Sequence, residues 1–349
     1  MSIPFLQNDA EISSLNRGTT MGIQIEGARI LVAGGGSLVG SHLTAALLAR
    51  NVGEVIIYDP IAFDTDDALG DLKNDARVTM VRGDLMKLHQ VVQHMDGVDG
   101  AVNLAAYMTL GLSQAPIDAI DLNVRGHMHF LEAARIRGVS KVIFASSNAV
   151  YGYGIGGPVG EDTPHHNSGI PAAAAAYGST KILGEQLCRM YYQQHGLDYV
   201  VLRFSTVYGE NQHYRAANAL YIIQTYDRIK AGLAPELFGD GSESKDFVYA
   251  GDVARAVCLA LESDATDVAL NTSGGKGIST KELVEMVTRI AESNIEPEYI
   301  SDDGRVRLPT GPGLHFVNAR AKAVLGWEPE MELEEGIRRL IADHEARKA

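Results

Sequence analysis

Tyr177 and Lys181 stand four residues apart in the stretch AAYGSTK, residues 175 to 181. On a helix that spacing sets a phenol and an ammonium on one face, where the cation favours the phenolate and makes tyrosine a proton acceptor. The same spacing is common on ordinary helix surfaces, so alone it reads as two structural residues. Ser147 adds a third group. It closes the apolar run KVIFASS, which puts its hydroxyl at the C-terminal end of a strand, the edge where open α/β sheets bind ligands. A second cluster, AGGGSLVGSHL at 33–43, follows the run ARILV and leads into a helical stretch. Glycines there let the backbone approach a pyrophosphate, and the free N–H groups of a helix start favour its charge. Asp59 falls in IIYDP at the end of the second apolar run, where a carboxylate accepts hydrogen bonds from ribose hydroxyls. Asp84 in RGDL falls after a third apolar run, either within reach of an adenine or as the cap of the next helix. Asp64, Asp66 and Asp67 follow Asp59 with no neighbouring arginine to neutralise a 2'-phosphate, which favours NAD over NADP.

These groups need a scaffold that brings them together. From Ala28 onward, short β-branched runs alternate with helical stretches: ARILVAG, EVIIYD, GAVNLAA, KVIFASS and YVVLRFS. Continuous apolar strands separated by helices predict a parallel sheet covered on both faces, a doubly wound α/β fold. Beyond about Val207 the rhythm changes to amphipathic helices in NALYIIQTYDRIKAG and STKELVEMVTRIAES, and DVARAVCLALES with VALNTSG returns to it. The expected organisation is an N-terminal extension, 1–26, and a cofactor-binding domain, 27–206 plus about 244–274. A smaller discontinuous substrate lobe takes 207–243 plus 275–349, and the cleft between the two is the expected ligand site.

With 349 residues, 46% of them apolar, the chain is long enough for a large core. A net charge of -14 offers no overall basic field for nucleic acid or an anionic membrane, so an anionic substrate must find a local positive pocket. No run of about 18 apolar residues suggests a membrane span, and the N-terminus lacks the basic start and apolar core of a secretory signal. Cys188 and Cys258 are isolated, forming neither a disulfide framework nor a metal-ligand spacing, and a reducing cytoplasm is the expected compartment. The histidines at 127, 129, 165 and 166 have no acid or thiol at ligand spacing; packing or surface roles, and no metal, are expected.

Ten segments in order carry a resemblance: GGGSLVGSHL, YDP, GDL, NLAA, NVRGHMHFLEAA, FASSNAVYG, YGSTKILGE, LRFSTVYG, FGDGSESKDFVYAGDVARA and LGWEPEMELEEGIRRLI. From residue 28 to about 345 the chain resembles the extended short-chain dehydrogenase/reductase family, in its NAD-dependent epimerase/dehydratase branch, which includes enzymes like UDP-glucose 4-epimerase. The resemblance implies a Rossmann-type fold with NAD as cofactor. The family's glycine fingerprint falls on Gly34, Ser37 and Gly40, with serine in place of the middle glycine, and Leu38, Val39, Asp59, Asp84, Leu85 and Ala105 are the further cofactor contacts it implies. The catalytic trio falls on Ser147, Tyr177 and Lys181. Tyr177 takes the proton of a substrate hydroxyl as hydride leaves its carbon, Lys181 lowers the phenol's pKa and holds the nicotinamide ribose, and Ser147 bonds the reacting oxygen.

The acidic pair that dehydratases of this family carry after the serine is Asn148 and Ala149 here, which leaves epimerisation as the implied chemistry. For a nucleotide-sugar substrate the resemblance implies Phe238 near the base and Asn218, Lys245 and Arg307 toward the diphosphate. Lys245 stands where the family has arginine, Thr206 replaces an asparagine, and Met108 lies in the loop shaping the sugar site. These departures sustain a second expectation, an NAD-dependent dehydrogenase or reductase acting on a non-nucleotide alcohol or sugar. Glu185 and Asp252 also fall on family positions and read as a helix-face partner and a cap. Segments 116–138 and 176–196 are expected to pair across the axis of a homodimer.

Overall fold

Runs such as RILVA and EVIIY carry too little polarity to leave a face in water, and the fold buries them in one parallel sheet. The structure is a computed structural model that describes residues 22–60, 68–167, 169–212, 217–301 and 313–348. Residues 22–26, assigned from sequence to the extension, lie within the fold. Ile23 and Ile25 are buried, and the Ile23 N–H donates to the Leu261 carbonyl at 2.8 Å.

In chain order the first elements are β1 (Arg29–Ala33), α1 (Leu38–Ala49), β2 (Glu54–Tyr58), β3 (Val78–Val81), α2 (Leu88–His94) and β4 (Gly100–Asn103). Then come α3 (Thr109–Gln114), α4 (Pro116–Ile120), α5 (His127–Arg137), β5 (Lys141–Ser147), β6 (Pro158–Val159), α6 (Ala172–His195), β7 (Tyr199–Phe204) and β8 (Thr206–Tyr208). The last stretch holds α7 (Ala217–Lys230), β9 (Glu236–Phe238), β10 (Ser244–Tyr249), α8 (Ala250–Glu262), β11 (Val268–Thr272), β12 (Gly277–Ser279), α9 (Thr280–Ile290), β13 (Glu298–Ile300), β14 (His315–Phe316), α10 (Ala319–Leu325) and α11 (Leu333–Lys348). Seven parallel strands form the main sheet in the order β3-β2-β1-β4-β5-β7-β11. Chain progression reverses between β1 and β4, and that switch point opens the crevice in which doubly wound folds bind dinucleotides.

Alternation along each strand divides the core in two. Ile30 and Val32 face a cluster with Leu43 and Leu47 of α1 and Val253 and Val257 of α8. Leu31 and Ala33 face the opposite cluster, with Val91 of α2, Phe130 of α5 and Leu187 of α6. A third cluster joins Tyr208, Ile222, Phe247, Val287 and Ile337 around a smaller sheet, β12-β10-β8. The capping box between Ser279 and Glu282 fixes the start of α9 there.

Candidate active site

At the switch point the loops after β1 and β4 touch. A Cβ on Gly34, whose φ is +75°, would lie 2.8 Å from the Ala105 nitrogen, so only glycine allows the turn. Gly40 packs as closely, its ideal Cβ lying 2.1 Å from the Gly35 carbonyl oxygen. Ser37 has an extended φ of -95°, which needs no glycine, and its hydroxyl turns back to accept the Gly40 N–H at 3.2 Å as the N-cap of α1. The N–H groups of Leu38 and Val39, in the first helical turn, have no intrahelical acceptor. Asp59 at the end of β2 is buried and accepts the Gly36 N–H at 3.1 Å, which holds its carboxylate at the mouth of the glycine turn. This cradle of bare backbone, helix N–H groups and one carboxylate fits an adenine dinucleotide diphosphate.

Asp84 does not cap the helix that follows it and stands instead in a local turn. Its Oδ1 accepts the Met86 N–H at 2.9 Å, a local turn, while α2 begins only at Leu88. Its backbone is clamped by the Tyr58 hydroxyl, which accepts the Asp84 N–H at 3.0 Å and donates to the Asp84 carbonyl at 3.1 Å. The Leu85 side chain is buried in the core, and its carbonyl accepts from His129 Nδ1 at 2.8 Å. The Ala105 N–H donates to Asn103 Oδ1 at 3.1 Å. Asp64, Asp66 and Asp67 lie outside the described residues.

The proposed trio converges at the end of β5. Ser147 is extended and caps the 3-10 turn of residues 148–151, accepting the Ala149 N–H and donating to Asn148 Oδ1, both at 3.2 Å. Tyr177, one turn into α6, stands beside Ser147, whose hydroxyl pulls the phenol's pKa down. Gly178 makes that approach feasible, since a Cβ there would sit 2.5 Å from the Ala149 carbonyl oxygen. Lys181 is buried, donates from Nζ to the Ala145 carbonyl at 2.7 Å and lies 5.9 Å from the centre of the Tyr177 ring.

The electrostatics depart from expectation. Burial pushes the Tyr177 phenol up to about 12, with Ser147 pulling against it, and the lowering expected from Lys181 is absent because the ammonium is directed at Ala145. Burial also brings Lys181 down to about 8, opposed by Glu185 and Cys188. Among the protein's own groups, then, the phenol is a proton donor at neutral pH and the lysine a cation.

Three supporting groups were not foreseen. Asn103 bridges the Ala105 N–H and the ring of His127, which is stacked on Phe144 at 4.1 Å and pushed down to about 3 by burial, a neutral core histidine. Asn123, in the π-helical turn Asp121–Gly126, ties both backbone groups of Tyr107 to the Thr180 hydroxyl, joining the loop after β4 to α6. Tyr58 is the third. A buried polar side chain at a strand end was the available signal in the first and last cases, because such a group must find a partner. His165 and His166 bond the Val150 and Tyr153 carbonyls, and among the described residues no three His, Cys, Asp or Glu side chains form a metal cluster. Asp252 caps the segment before α11, accepting the Glu330 and Met331 N–H groups.

The substrate-side residues are more scattered. Phe238 ends β9 and lines a cavity of about 410 Å³ with Tyr221, Arg228 and Glu236. Lys245 on β10 lies 3.5 Å from the Glu243 carboxylate, which offsets part of its charge. Asn218 is in the first turn of α7 with its side chain outside the description, and Arg307 lies outside the described residues. Thr206 pairs with Phe247 across β8 and β10, and Met108 precedes α3 as an exposed residue.

Next to Lys245, Asp246 is only 1% exposed; Oδ1 accepts the Gly274 N–H at 2.7 Å, and Oδ2 has no hydrogen-bond partner. Burial pushes its carboxyl up to about 6, against the pull of neighbouring donors. Because the folded pKa lies above the unfolded one, the folded state binds more protons between about pH 4 and 6, and this residue's contribution to stability falls as pH rises through that window. Relative to Asp246→Asn, the wild type should lose on the order of 3 kcal/mol between pH 4 and 7 in urea melts. A pH-independent difference would contradict this assignment.

The sequence profile of the NAD dependent epimerase/dehydratase family matches residues 30–271. A UDP-glucose 4-epimerase of Mycolicibacterium smegmatis is 30% identical over 321 residues, 90% of this chain and 97% of that protein. The crystal structure of Thermotoga maritima UDP-glucose 4-epimerase with UDP-glucose superposes with a TM-score of 0.79 at 27% identity, covering 92% of this chain and 100% of the other. Thermus thermophilus UDP-glucose 4-epimerase in complex with NAD gives a TM-score of 0.75 at 28% identity, covering 91% and 99%.

Proposed function

The chain belongs to the NAD-dependent epimerase/dehydratase family, and we propose that it inverts a carbinol centre of a nucleotide sugar, in the manner of UDP-hexose 4-epimerases, through a transient keto intermediate. The observation that carries this is the convergence of Ser147, Tyr177 and Lys181 at the end of β5, with no proton-transferring side chain at positions 148 and 149. Gly34, Ser37, Leu38, Val39 and Gly40 form the diphosphate seat, Asp59 takes the adenosine ribose, and Asp84, Leu85 and Ala105 border the adenine and nicotinamide halves.

NAD, when bound, supplies a hydride acceptor that returns the hydride to the opposite face, and its oxidised ring adds a positive charge beside the phenol. Tyr177, once its own proton has been lost to solvent and the oxygen is a phenolate, takes at Oη the proton of the substrate hydroxyl and gives it back after the sugar has turned. Ser147 Oγ holds the reacting oxygen, and the Lys181 ammonium, bonded to the Ala145 carbonyl in this structure, stabilises the phenolate once it turns toward the nicotinamide ribose and the ring. Asn148, already bonded to Ser147, and Ala149, packed under Gly178, leave no acid or base for eliminating water.

Incubation with UDP-hexoses tests this function: the two epimers should interconvert with no lasting accumulation of NADH, and a full nucleotide-sugar panel without interconversion would reject it. One observation supports a second reading, the Glu243 carboxylate beside Lys245, which weakens that position for a diphosphate. A dehydrogenase or reductase for a non-nucleotide alcohol would instead produce NADH in proportion to substrate consumed.

We read residues 27–206 with about 244–274 as the cofactor-binding domain and 207–243 with 275–349 as the substrate lobe. No helix among the described residues is long and apolar enough to cross a membrane, and a cytoplasmic enzyme is our reading. Ile117, Ile120, Met128 and Leu183 are exposed on the segments expected to pair in a homodimer, Ile117 at 77%. Ile117→Glu should convert a dimer seen by light scattering into monomer; a wild type that is already monomeric would refute the pairing.

A further inference from the structure

Three positions of α6, one turn apart on a single face, meet three consecutive residues of β5. Tyr177 meets Ser147, Lys181 donates to the carbonyl of Ala145, and Glu185 Oε1 accepts the Ser146 hydroxyl at 2.6 Å. The Glu185 carboxylate is buried and also takes two bonds from Arg203 of β7, at 2.9 and 2.6 Å. Arg203 in turn donates to the Tyr151 hydroxyl and the Glu161 carbonyl, so the pair is anchored on three sides of the strand end. A helix-face partner needs only one such contact.

We propose that Glu185 is the positioning residue of this site: it locks α6 against the strand that carries Ser147 and supplies the negative charge that keeps Lys181 an ammonium beside Tyr177. The inference rests on the catalytic reading of Tyr177 and Lys181 given above. The groups around Lys181 single out Glu185 for the second task. On α6 these are Tyr177, Glu185 and Cys188; α5 contributes His127, β5 the Phe144 ring and Ala145 carbonyl, and β7 contributes Arg203 through Glu185. Burial keeps the His127 ring, the Tyr177 phenol and the Cys188 thiol uncharged, which leaves the Glu185 carboxylate to oppose the desolvation of Lys181.

The experiment follows Lys181 directly, by heteronuclear NMR of the lysine ε-carbons across pH, beside the pH profile of kcat. Glu185→Gln keeps the shape and a bond to Ser146 but removes the charge. The Lys181 midpoint should fall by about one pH unit, and the alkaline limb of kcat should follow it. Ser146→Ala, which removes a contact without a charge, should leave the midpoint in place, and Glu185→Asp should restore it. If Glu185→Gln does not fold, the double replacement with Arg203→Gln removes the ion pair as a unit and leaves no charge unmatched, and because it also removes a cation its Lys181 midpoint is compared with that of Arg203→Gln alone. A folded variant lacking the Glu185 charge whose Lys181 midpoint coincides with that of its reference, the wild type for the single replacement or Arg203→Gln for the double one, overturns the proposal. A midpoint that moves while the kcat limb stays supports the role of Glu185 toward Lys181 and rejects the catalytic reading beneath it.

Discussion

Tyr177→Phe should lower kcat about a thousandfold while changing the affinity for nucleotide sugar less than about threefold. The substitution removes one oxygen and leaves the ring in its packing. Ser147 keeps its bonds to Asn148 and the Ala149 N–H, so no buried partner is orphaned and the melting temperature should hold within about 3 °C. The large kinetic effect has a specific source. The phenol, pushed up to about 12 by burial, is a poor base until positive charge surrounds it, and among the described residues no titratable side chain is hydrogen-bonded to Ser147 to act in its place. Single-turnover measurement of cofactor reduction separates the chemical step from product release. Retention of more than about a tenth of the rate would mean that the proton leaves by another route.

The second large effect concerns the cofactor. Gly40→Ala should weaken NAD binding about a hundredfold, measured by calorimetry. Its Cβ would stand 2.1 Å from the Gly35 oxygen and 2.5 Å from the Gly35 carbonyl carbon, both backbone atoms that cannot rotate away. Relief requires the start of α1 to shift by about an ångström, which carries the Leu38 and Val39 N–H groups off the diphosphate seat. Ser37→Gly is the contrast. Serine already adopts its φ there without strain and acts as an N-cap, so restoring the family's glycine should cost only about a few tenths of a kcal/mol and leave affinity within about threefold. Equal losses in both variants would contradict the account of this turn.

What the sequence made legible was whatever depends on local pattern. The apolar runs predicted the parallel strands, the glycine run predicted a phosphate turn before a helix, and Ser147 falls at a strand end as its position in KVIFASS implied. Local pattern is silent on contacts between distant segments. The clamp of Tyr58 on Asp84 spans a neighbouring strand, and Asn123 depends on a π-helical turn whose residues read as ordinary helix. Lys181 shows the limit most clearly: spacing placed it on the face of Tyr177, but the Ala145 carbonyl and the depth of burial decide where its charge acts. Serine in place of the family's middle glycine at position 37 says nothing by itself of the extended backbone and inward-turned hydroxyl that accommodate it. Residues 22–26 read as an extension because their polar flanks hide two buried isoleucines.

In the proposed reaction one site removes a hydride and returns it to the opposite face of the same carbon, with Tyr177 handling the proton. UDP-glucose deuterated at C4 tests it most directly, with the product epimer examined by NMR and mass spectrometry. The expected product is UDP-galactose that keeps the deuterium at C4, with no label in solvent and no net NADH. Loss of the label to water during interconversion, or stoichiometric NADH without an epimer, would contradict it.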